Sequence, residues 1–110
     1  MTQATTSLTL PPYRQLLTHI DTDRRAVWCH LNSSPRPAFT KTMLEEIIDM
    51  HSRVISHLKH IEGNAEPDIQ YFVAASAAPR VFSLGGDLDL FARSIREQNR
   101  SALAEYARLC

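Results

Sequence analysis

A chain of 110 residues has room for one domain but not two ordinary ones, and its 44% hydrophobic content supplies a modest core. Twelve basic and twelve acidic side chains cancel, so the charge balance gives no sign of nucleic-acid or anionic-membrane binding, and no apolar run approaches the roughly 20 residues of a membrane helix. Cys29 and Cys110 form neither a disulfide framework nor a CxxC pair, so reduced thiols in a soluble cytoplasmic protein are expected.

The first ten residues, MTQATTSLTL, contain neither a basic n-region nor an apolar h-region. Residues 1–12, ending at Pro11 and Pro12, are therefore expected to be a flexible leader, and 13–110 a single folded unit. Residues 13–20 are predicted as a first, partly exposed strand, with DTDRR (21–25) as a charged turn. AVWCHL (26–31) alternates as a second strand, with Val27, Cys29 and Leu31 on one face and Ala26, Trp28 and His30 on the other. Cys29 in that setting reads as core rather than nucleophile. The prolines and serines of NSSPRP (32–37) make a loop.

Residues 40–61 carry a helical pattern in which Leu44, Ile47, Ile48, His51, Val54, Ile55 and Leu58 share one face. Thr42 with Glu45 fits a capping box, Thr40 is the alternative cap, and Gly63 supplies the stop. The nearly unbroken apolar run IQYFVAA (69–75) predicts a strand covered on both faces inside a parallel sheet. After a break at 77–79, residues 81–83 are expected to be briefly extended. A helix then begins near Asp87, carrying Leu88, Phe91 and Ile95 inward. Asn99 or Ser101 caps a last helix with Leu103, Tyr106, Ala107 and Cys110 on one stripe. Strands and helices in this order predict an α/β layered fold. The last helix is still in full pattern at Cys110, so the chain reads as cut short.

VFSLGGDLDLF (81–91) is the stretch that points to chemistry. Two adjacent glycines followed by a capping aspartate suggest a turn that presents backbone N–H groups. Leu84, Gly85, Gly86 and Asp87 read either as a small anion-favouring nest at a helix N-terminus or as an ordinary loop with a capped helix. No GxGxxG or GxxxxGK[ST] is present, so dinucleotide and P-loop readings have no support. Asp87 and Asp89 form a DxD, but as a cap and a first-turn residue they need no metal, and none is expected. His57 and His60 lie three apart without a third ligand at a suitable spacing. Arg93, Arg96 and Arg100 form a basic stripe, read either as a contact for cofactor phosphates or as a solvated face, with Glu97 four residues from Arg93.

The run IQYFVAASA, then PRVFSLGGDLDLF, then a helix resembles the first oxyanion-loop region of the crotonase (enoyl-CoA hydratase/isomerase) superfamily. Phe82, Ser83, Leu84, Gly85, Gly86 and Asp87 match its [SA]-x-G-x-D pattern in order. Within the superfamily, Leu84–Leu88 and Leu90–Glu97 are most similar to diffusible-signal-factor synthases, and NRSALAEYARLC and PRPAFTKTMLEEI resemble other helices of that subfamily.

The resemblance implies a crotonase-like strand–strand–helix layered fold, truncated here to its first units, in a family that assembles as trimers or hexamers. It implies an acyl thioester on coenzyme A or an acyl carrier protein as substrate, with no covalently bound cofactor. It also implies that the Gly86 N–H is one of two oxyanion donors, that Gly85 allows close backbone approach, and that Leu84 and Asp87 flank the ligand. The second oxyanion glycine and two catalytic glutamates of the family have no counterpart in this sequence. Glu45, Glu46, Glu62, Glu66, Glu97 and Glu105 match none of those positions. The isolated chain is therefore expected to be inactive, either as the N-terminal part of a dehydratase-type enzyme or as a non-catalytic module pairing with a full-length homologue or a regulatory partner. A small anion-binding domain unrelated to crotonases is a third reading.

Overall fold

The computed structural model describes residues 8–34, 36–59 and 66–110. The element order is β1 (Leu16–Asp21), β2 (Ala26–Leu31), α1 (Lys41–Lys59), β3 (Tyr71–Ser76), α2 (Leu88–Arg96) and α3 (Arg100–Leu109). The three strands form one mixed sheet in the order β1-β2-β3, and the chain is of the α/β class. β1 and β2 pair antiparallel from Leu16↔Leu31 to Asp21↔Ala26. β2 and β3 pair parallel from Ala26↔Tyr71 to Leu31↔Ser76, with α1 as the crossover.

The hairpin turn also sets where β3 starts. Asp21 accepts from the Arg24 amide at 3.1 Å and from its guanidinium at 2.9 Å, and these bonds hold its carboxyl below the usual carboxylate range. Arg25 adopts a left-handed φ of 56°, and its carbonyl receives the amides of Gln70 at 2.7 Å and Tyr71 at 3.1 Å. Its guanidinium donates to the Pro67 carbonyl and meets Glu66 at 3.3 Å. One residue thereby closes the hairpin and brings β3 alongside β2.

The predicted alternation of β2 holds: Val27, Cys29 and Leu31 are buried in the core. Burial pushes the Cys29 thiol up to about 11. Against them pack Met43, Met50 and Val54 of α1, with Ile47 partly buried beside them. Here the structure corrects the predicted helix face, because Ile48 is 48% exposed, Ile55 52% and His51 also exposed. The rotation of α1 is set by polar anchors on its β1 side. Glu46 accepts the amides of Arg14 and Gln15, each at 2.7 Å, and Asp49 accepts the Tyr13 hydroxyl at 2.7 Å. With residues 46 and 49 turned toward the segment before β1, the stripe 43, 47, 50 and 54 faces the sheet and the stripe 48, 51, 55 and 58 does not.

Other expectations also change. Thr40, not Thr42 with Glu45, caps α1: its Oγ1 accepts the Met43 amide at 3.1 Å and its carbonyl the Leu44 amide at 3.0 Å. Gly63, His60 and Ile61 lie outside the described residues. β3 is not covered on both faces. It forms an edge of the three-stranded sheet, with Tyr71 60% and Phe72 38% exposed, and the Phe72 ring meets His51 edge-on at 4.6 Å. Leu8, placed in the leader on sequence, is buried in the core, and Leu10 packs against it.

The two stripes of α1 should separate in stability measurements. Met50→Ala is expected to cost roughly 2–5 kcal/mol, whereas Ile55→Ala should shift stability by no more than about 0.5 kcal/mol, read from urea denaturation midpoints.

Candidate functional site

The glycine turn is anchored to the segment that enters α1. Phe39 donates its amide to the Gly85 carbonyl at 2.8 Å, Leu84 donates to Pro37 at 2.6 Å, and Phe39 and Gly86 form an isolated parallel bridge. The extended segment predicted at 81–83 is no strand; the pairing falls further along, at 84–86. The two glycines serve different needs. Gly85 has φ +91°, and a Cβ there would meet nothing within 4 Å, so its backbone angle demands glycine. A Cβ on Gly86 would lie 3.0 Å from Phe91 Cε2 and 3.2 Å from Cζ, so lack of room demands glycine there.

Following the amides through this turn isolates one of them. Leu84 N–H goes to Pro37, Gly85 N–H to Ser83 Oγ at 3.0 Å, and Asp87 N–H to Tyr106 Oη at 3.2 Å. Of these four residues, Gly86 is the one whose amide takes no partner among the described residues. Asp87 is the N-cap of α2: its Oδ1 accepts the Leu90 amide at 3.2 Å and its carbonyl the Phe91 amide at 3.1 Å. Its carboxylate is turned into the helix start.

The sequence pattern marks Tyr106 only as an inward residue of the last helix, and it proves central to the turn. It is 5% exposed, accepts the Asp87 amide, and donates its own proton to the Phe39 carbonyl. Its ring stands edge-on to Phe91 at 5.2 Å and 87°. Burial raises its pKa. The available signal was a tyrosine on an apolar stripe, whose hydroxyl needs a partner when buried. This contact also sets the phase of α2 and α3. Leu88 and Ile95, predicted inward, are 69% and 66% exposed, while Ser94 is buried and Phe91 half-buried. Ala107 and Cys110 are exposed as well, and Asn99 rather than Ser101 caps α3, accepting the Ala102 amide at 3.1 Å.

Gly86 lines a cleft of about 210 Å³ with Leu84, Leu88, Leu90, Arg36 and Arg93. That is smaller than the roughly 300–1,000 Å³ typical of pockets for whole drug-sized ligands, so the cleft suits one part of a larger molecule. Leu84 is 62% exposed, and Arg36 meets Asp89 at 3.4 Å across the cleft. The DxD pair does not converge, since Asp87 caps the helix and Asp89 faces Arg36. Arg93, Arg96 and Arg100 are all exposed, and of the three Arg93 lines the cleft. His57 bonds to Asp68 at 2.7 Å, away from this loop, and its predicted neighbour His60 lies outside the described residues. No group of three metal-ligating side chains occurs among the described residues. No described helix is long and apolar enough to cross a membrane.

No family model matches the sequence, and no curated protein matches it. Two solved structures of DspI from Pseudomonas aeruginosa are similar in fold, each with a TM-score of 0.56 and 20% identity over 94% of this chain. The chain spans 37% of one of them and 39% of the other, about two fifths of their length. The three-stranded sheet and three helices match part of a crotonase-like fold.

Alanine at either glycine should destabilise the protein for separate reasons. Gly85→Ala is expected to cost about 1–3 kcal/mol through its left-handed φ. Gly86→Ala should cost about 1–3 kcal/mol by crowding Phe91, and replacing Phe91 with leucine in the same chain should recover part of that loss but none of the Gly85→Ala loss, measured by thermal or urea unfolding.

Proposed function

We propose that this chain is the acyl-thioester-binding N-terminal part of a crotonase-like enzyme, with the Gly86 N–H supplying one of two oxyanion donors. The observation that carries this reading is the Gly86 amide itself, which has no partner among the described residues and lines a cleft flanked by leucines. A thioester carbonyl placed against it gains negative charge on oxygen as a proton leaves the neighbouring carbon, and a donor fixed in advance stabilises that charge. Leu84 and Leu88 provide apolar surface beside such a group, and Arg93 a cation. The parent reaction is dehydration of a 3-hydroxyacyl thioester, on coenzyme A or an acyl carrier protein, to the 2-enoyl thioester. Hydrolysis of that product would release a cis-2-unsaturated fatty acid, a diffusible quorum-sensing signal.

The cleft carboxylates are already engaged, Asp87 as a cap and Asp89 with Arg36. Neither is free to move the proton, so this chain binds the thioester without turning it over. In a titration with a 3-hydroxyacyl-coenzyme A followed by amide NMR, the Gly86 resonance should shift saturably and more than that of Gly85, with no product formed. An immobile Gly86 resonance, or measurable turnover, would overturn the reading.

A second reading, a non-catalytic module that pairs with a full-length homologue or a regulatory partner, is favoured by the edge at β3. That strand, YFVAAS, carries no charge or proline, its Tyr71 and Phe72 are exposed, and so are Ile48, Ile55 and Leu58 of α1. Sedimentation velocity should then show association that is lost on Val73→Lys; a monomer at all concentrations removes this reading.

A further inference from the structure

We propose that Tyr106 is a positioning residue for the Gly86 oxyanion amide, acting through a hydroxyl set in place of a main-chain hydrogen bond. This inference rests on the thioester reading and adds the group that aims the donor. In a parallel pairing with this register, one residue bonds to the carbonyl before its partner and to the amide after it. Phe39, opposite Gly86, makes the first of these bonds directly, to the Gly85 carbonyl at 2.8 Å. The second is relayed: the Asp87 amide donates to Tyr106 Oη at 3.2 Å, and Tyr106 donates to the Phe39 carbonyl. One hydroxyl therefore joins the Asp87 amide to the Phe39 carbonyl and keeps both main-chain groups bonded.

The amide of Gly86 lies between these two fixed bonds. In this register its N–H points away from the 37–39 segment, and Gly86 lines the cleft. Two consecutive glycines resist ordering, so this orientation depends on what holds the residues on either side. Upstream, Gly85 is held by Phe39 and Ser83; downstream, Asp87 is held by Tyr106. Tyr106 is itself fixed by the Phe91 ring, whose edge sits where a Gly86 side chain would be. The Gly86 N–H shares one peptide plane with the Gly85 carbonyl that Phe39 holds, and Tyr106 fixes the next peptide through the Asp87 amide, so without the hydroxyl the Gly86 backbone is held on one side only.

Tyr106→Phe in the full chain removes the hydroxyl and keeps the ring. Titrated with a 3-hydroxyacyl-coenzyme A at a temperature where both proteins are folded, the variant should bind about tenfold more weakly at Gly86. Met50→Ala, destabilised far from the loop, should keep the wild-type affinity within about twofold, which separates positioning from a general loss of stability. Equal affinity in Tyr106→Phe and wild type, or equal weakening in both variants, overturns the proposal. If Gly86 of the wild type does not respond to the thioester, the functional reading fails. The positioning role is then decided in ligand-free protein: displaced Gly86 and Asp87 amide resonances in Tyr106→Phe support it, and unchanged ones overturn it. Should that variant not fold, amide exchange in the wild type decides, with a protected Asp87 beside a fast-exchanging Gly86 expected and two equally fast amides refuting the relay.

Discussion

One buried hydroxyl joins three segments of this chain that are distant in sequence. Tyr106 accepts the Asp87 amide and donates to the Phe39 carbonyl, so the last helix, the glycine turn and the approach to α1 meet at one oxygen. The group is buried, and burial raises its pKa. Around it, the edge-on contact with Phe91 fixes the rotation of α2, and the ion pair between Lys41 and Glu105 ties α3 to the first turn of α1. That pair is exposed and contributes little by itself. The buried hydroxyl matters more, because losing it would leave two main-chain groups without their partner.

The rest of the chain is organised around β2. Its apolar face meets α1, its antiparallel neighbour closes the hairpin, and its parallel neighbour is started by Arg25. α1 has two adjacent apolar stripes, and hydrophobicity alone does not choose between them. Polar bonds from Glu46 and Asp49 to residues 13–15 make the choice, turning Met43, Met50 and Val54 inward. Of the other stripe, His51 meets the Phe72 ring of β3, while Ile48, Ile55 and Leu58 are exposed. The chain matches about two fifths of the length of the DspI structures it resembles.

The glycine turn shows how a scaffold prepares a donor. Gly85 supplies a backbone angle, Gly86 supplies space for Phe91, and the bonds of Leu84, Gly85 and Asp87 commit every amide of the four but that of Gly86. Asp87 starts α2 by capping it, so the positive end of that helix lies next to the same cleft. Stabilising charge in this way needs no mobile side chain, only main-chain geometry that is set before a ligand arrives.

The α/β class, the limits of β2, the long helix, the cap at Asp87 and the turn around Gly85 and Gly86 were legible in the linear order of residues. These follow from local rules: alternation, helical period, capping chemistry and the freedom of glycine. Three-dimensional contacts were needed to learn which stripe of α1 is buried, that β3 sits at an edge, that Leu88 and Ile95 face outward, and that Tyr106 joins the turn to Phe39. Each of these depends on partners distant in sequence, such as Tyr106 to Phe39 at a separation of 67 residues, and no local pattern encodes such a pairing. A helical period shows that a face exists; contacts from elsewhere in the chain decide where it points.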